Sequence, residues 1–277
     1  MRILDPRSLK LMTALSGPTD MVRAVTYSPD GKTLAAGGGG AARYGEIILW
    51  DSGTGRPLHT LRGHHDYIYS LAFSPDGKLL ASSSYDRMIK LWDVSTGAEL
   101  KTLKEHTDAV FPIAFSPDGK RLASGGADRT VKIWDVASGR RLYTLSESTD
   151  VVFTLAFHPS GRRITAAGAD KHLRTWALEN ESGAPAQAII AHEAEITKIV
   201  YFPDGKRLAS ASADRSVKIW NMETGEMIGV LDRQPDWVLG VALSPDGKIL
   251  ALGRYDGSIG YYDANDGRPL PLQTANR

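Results

Sequence analysis

Short stretches of alternating hydrophobic and polar residues recur along the chain, rich in β-branched and aromatic side chains. Thr130 to Asp135, TVKIWD, is one of them, and its period of two predicts a strand. Explicit turns separate such runs. In Ser74-Pro75-Asp76-Gly77 the proline presets the first central position of a type I turn, the aspartate tolerates the second, and the glycine supplies the positive φ that closes the hairpin. After Trp92 a tight link, Ser95-Thr96-Gly97, leads into another apolar run from Ala98 to Leu103. Each unit of this kind holds four antiparallel strands.

The pattern repeats. Trp50, Trp92, Trp134, Trp176, Trp220 and Tyr262 are spaced by 42, 42, 42, 44 and 42 residues. A second marker runs in phase with them: YSPDG from Tyr27, FSPDG from Phe73 and from Phe115, FHPSG from Phe157, FPDG from Phe202 and LSPDG from Leu243. A lone four-stranded sheet cannot bury both faces, so successive copies must stack. Four strands in a period of about 40–45 residues are the signature of a β-propeller.

These residues resemble the WD-repeat (WD40-type) family over essentially the whole chain. The WD pair stands at Trp50-Asp51, Trp92-Asp93 and Trp134-Asp135, and is weakened to Trp176-Ala177, Trp220-Asn221 and Tyr262-Asp263. A Gly-His pair stands at Gly63-His64, with degraded versions at Glu105-His106 and Ala191-His192. The resemblance implies an all-β propeller of four-stranded antiparallel blades in one domain, 1–277. Six complete repeats are expected at about 16–61, 62–103, 104–145, 146–189, 190–231 and 232–277. Residues 1–15 form a partial repeat, because Met1 to Asp5 matches Val131 to Asp135. The count of about 26 strands fits neither six blades nor seven exactly, which leaves a seven-bladed ring with one blade incomplete, a six-bladed ring with a surplus strand, or a segment of a longer parent.

Composition narrows the function classes. With 33 Lys+Arg against 32 Asp+Glu the formal charge is +1, which offers no net field to hold nucleic acid. No apolar run approaches the roughly 20 residues that span a bilayer, so no membrane insertion is expected. No secretion signal is expected either, and a cytoplasmic home is the default. The absence of cysteine removes disulfides, thiolate chemistry and cysteine-ligated zinc.

Three repeats carry His, Ser, Asp and Trp at fixed offsets: His64, Ser82, Asp86, Trp92; His106, Ser124, Asp128, Trp134; His192, Ser210, Asp214, Trp220. The combination looks like a serine hydrolase triad, but a hydrolase needs one such site, not three in phase. The family resemblance implies a buried hydrogen-bond network tying together the strands of each blade. In the other repeats the histidine slot holds Pro18, Ser148 and Gln234 and the serine slot Ala36, Ala166 and Leu252, so those blades are expected to rely on packing more than on the network. The glycine-rich stretch from Gly37 to Gly45 lacks a GxxxxGK[ST] ending and reads as a flexible hairpin loop. The remaining histidines, His59, His65, His158 and His172, show no metal-ligand spacing, and no metal or cofactor is expected.

By the same resemblance, one rim is formed by the residues flanking the Val or Ile of each first strand and by the residue before the turn aspartate. Arg23, Tyr67, Tyr69, Tyr85, Phe111, Phe153, Trp237 and Tyr255 occupy such slots, so seven aromatics outside the repeat framework fall on one rim. Exposed aromatic clusters mark binding hot spots. The bland alternative is that the phenylalanines and Trp237 are extra core. Arg87, Arg129, Lys171 and Arg215 each follow a turn aspartate and either pair with neighbouring carboxylates or face solvent, where they suit a peptide with acidic flanks.

The expected function is a non-enzymatic scaffold that binds another protein or a peptide through this rim, with the oligomeric state left open. The alternatives are a sensor or regulatory module of a larger assembly, and a propeller that binds or processes a small ligand in its channel.

Overall fold

In the computed structural model, which describes residues 2–4, 10–18, 20–178 and 183–271, every regular element is a strand. Residues 5–9 of the expected partial repeat and 272–277 of the last repeat lie outside the described residues. A two-stranded hairpin, β1 (Arg2–Leu4) and β2 (Leu11–Ala14), opens the chain. Antiparallel blades follow in strict chain order. The first is β3 (Met21–Tyr27), β4 (Thr33–Gly40), β5 (Tyr44–Asp51) and β6 (Pro57–His64), and the second is β7 (Ile68–Phe73), β8 (Leu79–Ser84), β9 (Ile89–Asp93) and β10 (Glu99–Leu103). The third is β11 (Val110–Phe115), β12 (Arg121–Gly126), β13 (Val131–Asp135) and β14 (Arg141–Leu145). The fourth is β15 (Val152–Phe157), β16 (Arg163–Gly168), β17 (His172–Ala177) and β18 (Ala184–Ile190). The fifth is β19 (Ile196–Tyr201), β20 (Arg207–Ser212), β21 (Val217–Asn221) and β22 (Met227–Val230), and the sixth is β23 (Val238–Leu243), β24 (Ile249–Arg254) and β25 (Ile259–Asp263). Beyond these three strands of the sixth blade an isolated antiparallel bridge joins Tyr262 to Pro269. The fold class is the all-β one expected, with blades of the β-propeller type.

The chain divides into two compact units, one of Met1–Asp128 with Lys132–Leu142, the other of Arg129–Val131 with Tyr143–Leu272. In the first, apolar side chains of neighbouring blades interlock, as where Trp92 packs with Ile47, Leu49 and Leu71. Leu15, just after β2, joins Leu34, Ala36 and Trp50 in a smaller cluster that seats the opening hairpin on the first blade. In the second unit, Trp220 packs with Leu173, Ile199 and Leu208, and Tyr262 packs with Phe202 and Leu252.

The turns form for the reasons the residues suggest. Ser74 Oγ donates to Asp76 Oδ1 at 2.6 Å, the Lys78 N–H donates to the same oxygen, and Gly77 takes φ +71°. In the fourth blade His158 replaces the serine and Ser160 the aspartate, and the Ser160 hydroxyl donates to His158 Nδ1 at 2.8 Å.

Two expectations need correcting. The glycine-rich stretch is no flexible loop, because Gly37 to Gly40 are buried strand residues paired with Tyr44 to Ile47 in an extended hairpin. Their lack of side chains has a packing reason: a Cβ on Gly37 would come within 2.7 Å of Ile68 in the next blade. The hairpin tip is held by the Tyr44 hydroxyl donating to Asp20 and by the Ala42 N–H donating to Asp66. In the fifth repeat the framework aromatic is Tyr201, not Phe202. Tyr201 pairs with Leu208 as Phe73 pairs with Leu80 and Phe157 with Ile164, which leaves Phe202 in the slot of the turn serine.

Candidate functional site

The three Ser/His/Asp/Trp sets assemble with nearly identical geometry. His64 Nδ1 lies 2.8 Å from Asp86 Oδ2, His64 Nε2 lies 2.8 Å from Ser82 Oγ, and the Trp92 indole N–H donates to Ser82 Oγ at 2.8 Å. The corresponding distances are 2.8, 2.7 and 2.8 Å at His106 and 3.0, 2.7 and 2.8 Å at His192. Because the indole donates to the serine oxygen, the serine proton goes to Nε2, and Nδ1–H is left to donate to the aspartate. A neutral imidazole fits this chain of bonds. Burial, opposed by the aspartate, holds His106 and His192 below the usual histidine range. Burial works to raise Asp86, but the bonds from His64 and from the His65 and Met88 N–H groups outweigh it and lower its pKa. Ser82, Ser124 and Ser210 have no exposed surface, so none is open to a substrate.

The blades without the triad are not held by packing alone. In the sixth, buried Gln234 Oε1 accepts from Arg254 Nε at 2.9 Å, from Arg254 Nη2 at 2.7 Å and from the Tyr262 hydroxyl at 3.0 Å. In the fourth, Trp176 donates to Glu147 at 2.7 Å, and Asp170 accepts from Arg174 Nε at 2.9 Å in place of a histidine. In the first, buried Glu46 accepts twice from Arg62, at 2.8 and 3.0 Å. Polar networks have been rebuilt from other residues, because buried polar groups still need partners.

The rim slots have a physical origin that local sequence does not display. In the first strand of every blade the pairing register slips at one place. Val22 and Ala24 pair with successive residues Gly38 and Gly37, so Arg23 is the extra residue of a β-bulge. Tyr69, Phe153, Thr197 and Leu239 are the bulged residues of their blades, and in the third the slip covers Phe111 and Pro112. A bulge re-aims a side chain away from the pleat.

Within the first unit Arg23, Tyr69 and Phe111, at the bulges, come together with Tyr67, just before β7, and Tyr85, just after β8. Tyr67 and Tyr85 have ring centroids 4.3 Å apart, Tyr69 and Phe111 4.6 Å, and Tyr85 and Phe111 5.3 Å. The Arg23 guanidinium sits 4.7 Å from the Tyr67 ring centroid, a cation–π distance. Burial and a hydrogen bond with Tyr85 push the Tyr67 hydroxyl upward. Phe111 is only 5% exposed, so it is the floor of this cluster and not part of its accessible face. Tyr67 and Tyr69 are half-buried and Tyr85 is exposed. In the second unit Trp237 and Tyr255 have ring centroids 6.0 Å apart and are 47% and 71% exposed; Trp237 immediately precedes β23, on which Leu239 is also exposed. Phe153 is half-buried.

The cation after each turn aspartate adopts the left-handed conformation: φ is +69° at Arg87, +62° at Arg129, +65° at Lys171 and +66° at Arg215, where the sixth blade has Gly257 at +82°. Arg87, Arg129 and Lys171 are exposed and Arg215 is half-exposed, and none of the four forms an ion pair among the described residues. Also among the described residues, no group of three or more His, Cys, Asp or Glu is placed to hold a metal ion, and no helix is long and apolar enough to cross a membrane.

Blades of this construction, with buried Trp-Ser-His-Asp chains inside them, define a WD-repeat protein. The chain matches the WD40 family, described as WD domain, G-beta repeat, at residues 9–51, 55–93, 97–135, 139–177, 183–221 and 225–263, and it belongs to that family. A comparison with curated proteins found no match.

Proposed function

We propose that the protein is a non-enzymatic binding scaffold that engages another protein or a peptide through the aromatic rim. WD40 repeats commonly serve protein interaction, and membership supports that class of role. The observation that carries the reading is Trp237 beside Tyr255, two large aromatics 47% and 71% exposed, with Leu239 exposed two residues after Trp237. Rigid aromatic area of this kind buries well at low entropy cost and recurs in binding hot spots. The tyrosine cluster over Phe111, with Arg23 stacked on it, offers a second such surface. Arg87, Arg129, Lys171 and Arg215 add unpaired positive charge at equivalent places in four blades, which favours a partner with apolar anchors flanked by acidic residues. A catalytic use of the three Ser/His/Asp sets is disfavoured, since each serine is sealed under its tryptophan.

Affinity capture from the source cell tests this. The intact protein is expected to retain a partner set that the Trp237→Ala/Tyr255→Ala variant loses while its circular dichroism stays unchanged. Lys78→Ala, beside an SPDG turn, is expected to retain the full set. Equal recovery by the aromatic double variant overturns the reading.

A further inference from the structure

One type of groove occurs at two places, and the two copies differ in charge. In the first unit it lies between the first and second blades and is lined by Thr33, Lys78 and Asp93, among others. In the second unit it lies between the fourth and fifth blades, where Arg162, Arg163 and Lys206 line it. The register aligns the copies position by position. Thr33, the first residue of its strand, faces Asp51 across the sheet, whereas Arg163 in the same place faces Ala177. Leu79 faces Asp93 in the second blade, and Arg207 faces Asn221 in the fifth. Asp30 of the first turn is replaced by Ser160.

Three carboxylates that the repeat supplies elsewhere are therefore gone in and beside the second groove, one is gained where Glu223 takes the slot of Ser95, and Arg163 adds a cation. Arg162, Arg163 and Lys206 are exposed, and none forms an ion pair among the described residues. Of the two acids that line the groove, Asp204 is already engaged by Arg207 Nε at 2.8 Å and by the Lys206 and Arg207 N–H groups, and Glu223 is exposed. The floor has changed in step. Thr165 Oγ1 lies 2.8 Å from Thr175 Oγ1 and 2.6 Å from the Tyr201 hydroxyl, where the second and third blades have Ala81, Leu91 and Phe115. Thr175 and Tyr201 both line the groove.

We propose that this groove between the fourth and fifth blades binds a phosphate group, either the free ion or a phosphate monoester. Three unpaired cations over a polar floor match a tetrahedral dianion better than a single carboxylate, and two arginines offer paired N–H donors to its oxygens. The inference rests on residues other than those assigned to the aromatic rim and stands independently of the binding role proposed for it.

The test is a titration of the 15N-labelled protein with inorganic phosphate and, separately, with O-phosphoserine, each against sodium chloride at matched ionic strength. Saturable shifts are expected at the amides of Arg162, Arg163, Gly205 and Lys206. Arg163→Ala should weaken binding about tenfold or more, the scale of a lost hydrogen bond to a charged group. Ala177→Asp, which restores the acid of the repeat opposite Arg163, should do the same with the spectrum still dispersed. Lys78→Ala in the other groove should leave binding unchanged. Tighter binding of O-phosphoserine assigns the site to esters, and equal binding assigns it to the free ion. The proposal is overturned if neither probe gives saturable shifts, or if both variants bind as the parent does.

Discussion

Trp92 donates its indole N–H to Ser82 Oγ at 2.8 Å, and this one bond decides what the neighbouring histidine can do. With the serine lone pair engaged by the indole, its proton is committed to His64, and the triad becomes a strut between strands. Removing a member strands buried partners. His106→Ala or Asp128→Ala is expected to lower unfolding free energy by about 1–3 kcal/mol, measured by urea denaturation. A fluorophosphonate probe should leave Ser82, Ser124 and Ser210 unlabelled in the folded protein, and labelling of any of them contradicts the strut assignment.

The sixth blade extends that logic to a triad-free network. Gln234→Leu removes the acceptor shared by Arg254 and Tyr262, and is expected to cost about 1–3 kcal/mol in the same assay. A neutral result means that packing alone holds this blade.

Arg87 sits at φ +69° and forms no ion pair among the described residues that would hold it there. A left-handed conformation costs a residue with a Cβ roughly 1–2 kcal/mol, partly offset for glycine by the entropy of its unfolded chain. Arg87→Gly should therefore raise stability by up to about 1 kcal/mol, and Arg87→Val should lower it. If the cation is kept for binding, Arg87→Gly also weakens capture of an acidic partner as it stabilises the fold.

Stability should fall with acid in two stages. His106 and His192 are held below 6.5 in the folded state, so the unfolded chain takes up protons first, and stability present above pH 6.5 declines as pH drops toward their folded pKa values. Asp86 is lowered from 3.8 and Asp214 to about 2, so a second decline begins near pH 4 and continues toward pH 2. Thermal melts across pH 8 to 2 check this. His106→Gln should blunt the first stage and leave the second.

Much of this fold is written in local residues, because a turn such as SPDG and an alternating run such as TVKIWD need only their own neighbours to act. The substitute networks were not legible for the opposite reason. Gln234, in the loop before β23, meets Arg254 and Tyr262 only once the register sets β24 and β25 side by side, and neither Gln234 nor Arg254 matches a motif. The same holds for the slot of Tyr201, where a one-residue difference before the turn is settled by strand pairing with Leu208. The expected rim positions followed from family resemblance, but the bulge that sets Arg23, Tyr69 and Phe153 apart in their first strands is a backbone event. The burial of Phe111 under Tyr69 and Tyr85 likewise depends on the neighbouring blade.

The role of the rim can be read from one fluorophore. Trp50, Trp92, Trp134, Trp176 and Trp220 are buried, whereas Trp237 is 47% exposed, so acrylamide quenching of the folded protein reports chiefly on the proposed binding surface. Trp237→Phe should remove most of the quenchable emission. With a captured partner added to saturation, the quenching constant of the native protein is predicted to fall toward that of Trp237→Phe, because the indole is then covered. Trp237 that stays as quenchable at saturation as in the free protein contradicts the account and places the binding surface elsewhere.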